Sequence, residues 1–166
     1  LDTSTGVVTY ALDDARAATQ GLTASQAATD SFSVVVTDGT ASTSANAVFN
    51  ITGTNDAPTL TAASQVGTLV EAGAGVTGSS SATITLTKGD VDTGAVVNYD
   101  TSGWTTVSGS STTFTKTGTY GTATLNTSTG VVTYALDDTL TATQGLTAGQ
   151  AATDSFSVVV TDGTAS

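Results

Sequence analysis

One stretch of this chain occurs twice. Residues 1–42, LDTSTGVVTYALDDARAATQGLTASQAATDSFSVVVTDGTAS, return as residues 125–166 with five aligned differences: Asp2/Asn126, Ala15/Thr139, Arg16/Leu140, Ala17/Thr141 and Ser25/Gly149. The period is 125 − 1 = 124 residues, and the 166-residue chain is one period plus an overlap of 166 − 124 = 42. Solenoid units run to roughly 20–50 residues, so a period of this length fits a small domain repeated in tandem. Copies this similar point to recent duplication in an array whose members share one task. The expected frame is residues 1–56 as the C-terminal half of one repeat and residues 57–166 as a nearly complete next repeat. The second lacks its last strand, the counterpart of residues 43–56.

The local patterns are those of strands. In SANAVFNITG, Ala45, Ala47, Phe49 and Ile51 alternate with Asn46, Val48, Asn50 and Thr52, the period-two signature of a sheet with one buried face. ATITLTK sets Ala82, Ile84 and Leu86 against Thr83, Thr85 and Thr87, and GVVTYAL puts Val132, Tyr134 and Leu136 on one side. In DSFSVVVTDG the inward set is Phe156, Val158 and Val160, with Phe32, Val34 and Val36 as the earlier copy's equivalents. GTLVE, VVNYD, GWTTVS, TTFTK and YGTATL are further strand candidates between Gly, Ser, Asp and Asn turn signals. Only GLTAGQAATD reads as a helical turn. Seven or more short strands at this spacing predict an all-β fold, an antiparallel β-sandwich of the immunoglobulin-like kind.

Charge narrows the function. Fourteen carboxylates face three basic residues, Arg16, Lys88 and Lys116, for a net charge of −11. Nucleic acid and anionic membrane are repelled by such a surface. Cys, His and Met are absent, so a disulfide framework, a thiolate or zinc site and a histidine-dependent triad cannot be built. No apolar run approaches the roughly 20 residues that span a bilayer. Fourteen carboxylates cannot be matched by three cationic side chains; they are left to solvent or met by bound cations.

The one proline, Pro58, follows Asn55 and Asp56 in ITGTNDAPTL, at the junction of the two copies. Proline fixes φ and biases its predecessor toward an extended conformation, which stiffens a short linker. YGTATLNTSTGVVTYALDD through GLTAGQAATDSFSVVVTDG, joined to AVFNITGTNDAP, resembles the VCBS repeat of giant bacterial surface proteins and RTX adhesins. It is also similar, more distantly, to cadherin repeats: TGVVTYALDD to their TG-I-LDRE segment, SFSVVVTDG to their A-x-D-x-G strand end, KGDVDTG to their D-x-D loop, and GTNDAP to their D-x-N-D-N-x-P linker. Gly53 stands where that linker has its first Asp, and Ala57 where it has its last Asn.

The resemblance implies calcium at the junctions. Asp90 and Asp92 of the D-x-D loop and Asp162 of TDG would meet Asn55 of the linker, and Asp13 and Asp14 would act with Asp56. Glu71, Asp137 and Asp138 would serve a following linker, and Asp38 would be the fragment's copy of Asp162. Calcium takes about six to eight oxygens in irregular geometry, mixing carboxylates with carbonyls. The alternative for Asp13, Asp14, Asp38 and Asp162 is ordinary turn chemistry, in which Asp side chains accept backbone hydrogen bonds. Asp2, Asp30, Asp100 and Asp154 read as solvated charges before ligands.

The implied protein is a calcium-rigidified extender repeat of a secreted bacterial cell-surface adhesin or filament, giving length and stiffness for adhesion or biofilm. It is not an enzyme. Its partners are identical repeats, head to tail, with no nucleic acid and no membrane insertion. One alternative is a self-assembling filament or surface-layer subunit, whose open edge is filled by residues 43–56 of another copy. A less favoured one is a carbohydrate-binding module using Trp104 and the neighbourhood of Tyr99.

Overall fold

The computed structural model describes all 166 residues. Two compact units are present: Leu1–Asp56 with Asp90–Ala95, and Ala57–Gly89 with Val96–Ser166.

The first unit is organised by one long hairpin. β1 (Ala27–Thr37) and β2 (Ser42–Thr52) pair antiparallel over their full length, from Ala27↔Thr52 to Thr37↔Ser42. The turn between them is closed by Asp38, whose Oδ1 accepts the amides of Thr40 and Ala41 at 2.8 Å each. Beyond the last pair, Gly53 N–H donates to the Gln26 carbonyl (2.8 Å) and Ser25 N–H donates to the Gly53 carbonyl (3.0 Å). Phe49 stacks on Tyr10 with centroids 5.0 Å apart, and Phe32 packs at 5.8 Å from Tyr10 and 6.2 Å from Phe49. A single helical turn, α1 (Ala17–Gln20), precedes the hairpin. None of the unit's hydrophobic side chains is fully buried, and Phe32 remains 47% exposed.

The second unit carries eight strands: β3 (Thr59–Ala62), β4 (Ser81–Gly89), β5 (Asn98–Asp100), β6 (Thr105–Thr106), β7 (Thr113–Thr117), β8 (Gly121–Asn126), β9 (Val131–Leu136) and β10 (Val159–Thr161). One helical turn, α2 (Thr141–Gln144), separates the last two. Six strands form an antiparallel sheet in the order β3-β4-β9-β8-β7-β6, and β10 pairs antiparallel with β5 in a second, two-stranded sheet. Period-two patterning builds the core: along β8, Gly121, Ala123 and Leu125 are buried while Thr122, Thr124 and Asn126 are only half-buried. Ala82 and Leu86 of β4 and Val160 of β10 complete the buried set. The chain is all-β, antiparallel throughout, with the character of a β-sandwich.

Two local expectations are corrected. GTLVE is not a strand; within it Val70 makes only an isolated bridge, to Ser79, and the preceding Val66 another, to Thr83. The helical turn falls on TATQ, just before GLTAGQAATD, because Gly149 at φ +78° interrupts any helix there while Thr147 and Gln150 close a local turn.

Identical sequences also take different structures in the two copies. GVVTYAL is strand β9 between β4 and β8 in the second copy, and the same residues form no strand at 6–12. AATDSFSVVVT forms eleven residues of strand at 27–37, where β2 lies alongside, and only Val159–Thr161 at 151–161.

Candidate functional site

Each of the three cationic side chains is engaged away from the D-x-D loop. Arg16 Nε lies 3.4 Å from Asp13 Oδ2. Lys88 Nζ donates to the Val97 carbonyl and sits 5.1 Å from the Tyr99 ring centre, and Lys116 Nζ lies 5.7 Å from the Trp104 ring centre.

The D-x-D loop is part of the first unit, along with the linker. The Thr93 amide donates to the Gly21 carbonyl (3.1 Å), which anchors the loop on the residue after α1. Asp92 Oδ2 accepts the backbone N–H of Asp56 (3.0 Å), and Asp90 Oδ1 accepts the backbone N–H of Asp92 (2.9 Å). Asn55 Nδ2 donates to the Asp56 carbonyl at 2.6 Å. Asp92 is only 6% exposed. Asp90 Oδ2 and Asp92 Oδ1 are buried with no hydrogen-bond partner, and neither carboxylate forms an ion pair. A buried carboxylate oxygen without a donor carries a desolvation cost that an opposite charge would offset. All these donors are hard oxygens, the set that suits calcium or magnesium and not the softer transition metals.

Other candidate ligands are held differently. Asp162 Oδ1 accepts the amides of Thr164 and Ala165 at 2.6 Å each, repeating the arrangement at Asp38. Asp137 Oδ1 accepts the amide and hydroxyl of Thr139 (2.9 and 2.6 Å), which hold its pKa below the usual carboxylate range. Asp13 Oδ1 accepts the Ala15 amide (3.0 Å), and Asp14 is exposed. Asp138 Oδ1 accepts the Ala72 amide (3.3 Å), while Gln144 Nε2 bridges Glu71 Oε1 (3.2 Å) and the Asp138 carbonyl (2.7 Å). Glu71 and Asp138 are thus brought to one place in the second unit, on a shared glutamine. Nowhere are three or more acidic side chains gathered closely enough to hold a metal ion by themselves. A cation held by Asp90 and Asp92 would need amide or main-chain oxygens to complete its shell.

Sequence reasoning underrated Asp154. Its Oδ2 accepts the Tyr134 hydroxyl (2.6 Å) and the Tyr120 amide (2.9 Å), and its Oδ1 accepts the Thr119 amide (2.8 Å). Burial pushes its pKa up, but these hydrogen bonds prevail and hold it below the usual range. Tyr134 moves the other way: burial first, and then its bond to Asp154, raise its pKa. In the first copy the Tyr10 hydroxyl likewise donates to Asp30. The signal was present in the sequence as one Tyr-to-Asp spacing of twenty residues in both copies. Trp104, weighed as a sugar platform, packs 6.3 Å from Phe156.

No helix is long and apolar enough to cross a membrane. Comparison of the chain with protein-family models, with characterised proteins and with solved structures returns no match.

Proposed function

We propose that the chain is a window onto a calcium-rigidified extender array, built from immunoglobulin-like, cadherin-like repeats of 124 residues, of the kind found in secreted bacterial surface adhesins. The observation that carries this reading is the pair of unpartnered buried oxygens, Asp90 Oδ2 and Asp92 Oδ1, on a loop hydrogen-bonded to the linker at Asp56. Calcium would be held by Asp90 and Asp92, with oxygens of Asn55 and Asp56 beside them. Its charge would offset the mutual repulsion of the two carboxylates and fix the loop to the linker. The VCBS-like sequence and the near-identity of the copies support a mechanical role: such repeats give length, and cation-braced linkers give stiffness.

Calorimetric calcium titration tests the cation. The chain should bind calcium in preference to magnesium, and calcium at 100 times its dissociation constant should add about 2.7 kcal/mol of stability by mass action. Asp90→Ala/Asp92→Ala should abolish the strongest site, whereas Asp2→Asn, which copies the residue at 126, should leave it intact. Unchanged calcium affinity in the double variant would sink the cation reading. Small-angle scattering tests the mechanical part: calcium should extend and narrow the distance distribution relative to chelator, and identical profiles would speak against an extender.

A further inference from the structure

Gly21 and Gly145 close the two helical turns in the same GLTA context and on nearly the same backbone: φ −80° and ψ 4° after α1, φ −80° and ψ −6° after α2. Any residue adopts these angles, so the turn itself does not ask for glycine. At Gly145, which is exposed, a Cβ would meet only carbonyls of α2, those of Thr141 at 3.2 Å and Ala142 at 3.6 Å. At Gly21 the matching distance to the Ala17 carbonyl is 3.1 Å, but a Cβ would also come 2.8 Å from Thr93 Oγ1 and 3.6 Å from the Val91 carbonyl. Gly21 is buried, and what leaves no room for a side chain there is the D-x-D loop.

The loop is shaped for that surface by its own hydrogen bonds. Asp90 Oδ1 accepts the Asp92 amide (2.9 Å), and the Asp92 carbonyl accepts the Ala95 amide (3.2 Å). Thr93 then donates its amide to the Gly21 carbonyl (3.1 Å) and sets its hydroxyl in the space a side chain would fill. Thr93 is β-branched and restricted at χ1, so a side chain at position 21 would displace the loop itself. An amide, a carbonyl and a hydroxyl make the contact, none of them charged, so it needs no cation. By its place in the 124-residue period the loop belongs to the following copy, yet it is part of the first compact unit.

We propose that the end of α1 is a docking surface for the D-x-D loop of the following repeat. Gly21 admits Thr93 by having no side chain, and the contact closes without a cation. Once closed, it holds Asp92 against the Asp56 amide, where a cation can use its second oxygen. The docking stands on these contacts alone; only its effect on calcium rests on the cation reading above.

The test compares Gly21→Ala with Gly145→Ala, the same change on the same turn, in the intact chain. In chelator the amides of Asp56 and Thr93 should exchange slowly with solvent. Gly21→Ala should speed both by about tenfold and leave the β1 amides unaltered, and Gly145→Ala should change none of them. Adding Thr93→Ala to Gly21→Ala removes the clashing hydroxyl and should restore slow exchange at Asp56 and at position 93. Calcium affinity, read by calorimetry, should fall with Gly21→Ala and recover in the double variant. Fast exchange at both amides of the unsubstituted chain in chelator, equal effects of the two glycine substitutions, or no recovery in the double variant would each overturn the docking. Slow exchange in a chain that binds no calcium would uphold the docking and overturn the cation reading instead.

Discussion

At the scale of single residues, the differences between the copies behave as substitutions already made. Asp2 Oδ1 accepts the amides of Ser4 and Thr5, and Asn126 Oδ1 accepts those of Ser128 and Thr129, so only the acceptor oxygen matters to the turn. At the end of LDD, Arg16 pairs with Asp13 in one copy, and the Thr139 hydroxyl binds Asp137 in the other. Ser25 sits at φ +63° where the second copy has Gly149 at φ +78°, a left-handed conformation that a Cβ disfavours. Ser25→Gly should therefore stabilise the first unit by about 1 kcal/mol in chemical denaturation. Gly53 is the opposite case. A Cβ there would lie 2.4 Å from the Thr23 carbonyl oxygen and 2.7 Å from Leu22 Cβ, so this position has no room for a side chain. Gly53→Ala should destabilise the hairpin base by about 1–3 kcal/mol, read as a lower melting temperature. Asp154 sets a pH dependence. Its folded pKa lies below the unfolded value, so its contribution is complete above about pH 4 and is lost as pH falls through the folded pKa. Asp154→Asn should cost about 1–3 kcal/mol at pH 7 and flatten the stability loss in the acid range.

Among elements, partner availability outranks propensity. Alternation identified the inward faces of β2, β4, β9 and β10, because one-sided burial writes itself into a strand at period two; in β1 only Val34 of the expected Phe32, Val34 and Val36 is half-buried, and the other two are exposed. It could not say which of those segments pair. AATDSFSVVVT has the same intrinsic preference at both sites, yet the ladder forms over its full length only beside β2. Hydrogen exchange should show slow amides within Ala27–Thr37 and fast amides across Ala151–Val158, in peptides told apart by Ser25 and Gly149. Equal protection in the two copies at low chain concentration would contradict the observed pairing. GTLVE falls short of a strand for a related reason: a single bridge, from Val70 to Ser79, is its only ladder contact.

Across the whole molecule, burial is uneven. All five buried hydrophobic side chains, Ala82, Leu86, Ala123, Leu125 and Val160, belong to the second unit. Stability follows apolar area removed from water, so the first unit should open first. On heating, amides of residues 28–36 should exchange before those of Thr122–Leu125, and a single cooperative loss of both would contradict this ordering. The net charge of −11 adds self-repulsion that salt screens, so added sodium chloride should raise the melting temperature modestly, and calcium by more than its ionic strength accounts for.

The sequence by itself determined the 124-residue period, the all-β character, the inward faces of the main strands and the acidic residues on which a cation site could be built. These are legible because repetition, alternation and charge are local properties of a string. Tertiary structure decided which carboxylates lose water. Asp92 became buried with one oxygen unpaired because the linker amide of Asp56 and the Thr93 anchor on Gly21 hold its loop down. Asp38 and Asp162, equally acidic in the string, accept the amides of their own turns. Tertiary structure also decided the fate of identical segments, since a strand is completed by its neighbour, and the neighbour is absent from the segment's own sequence.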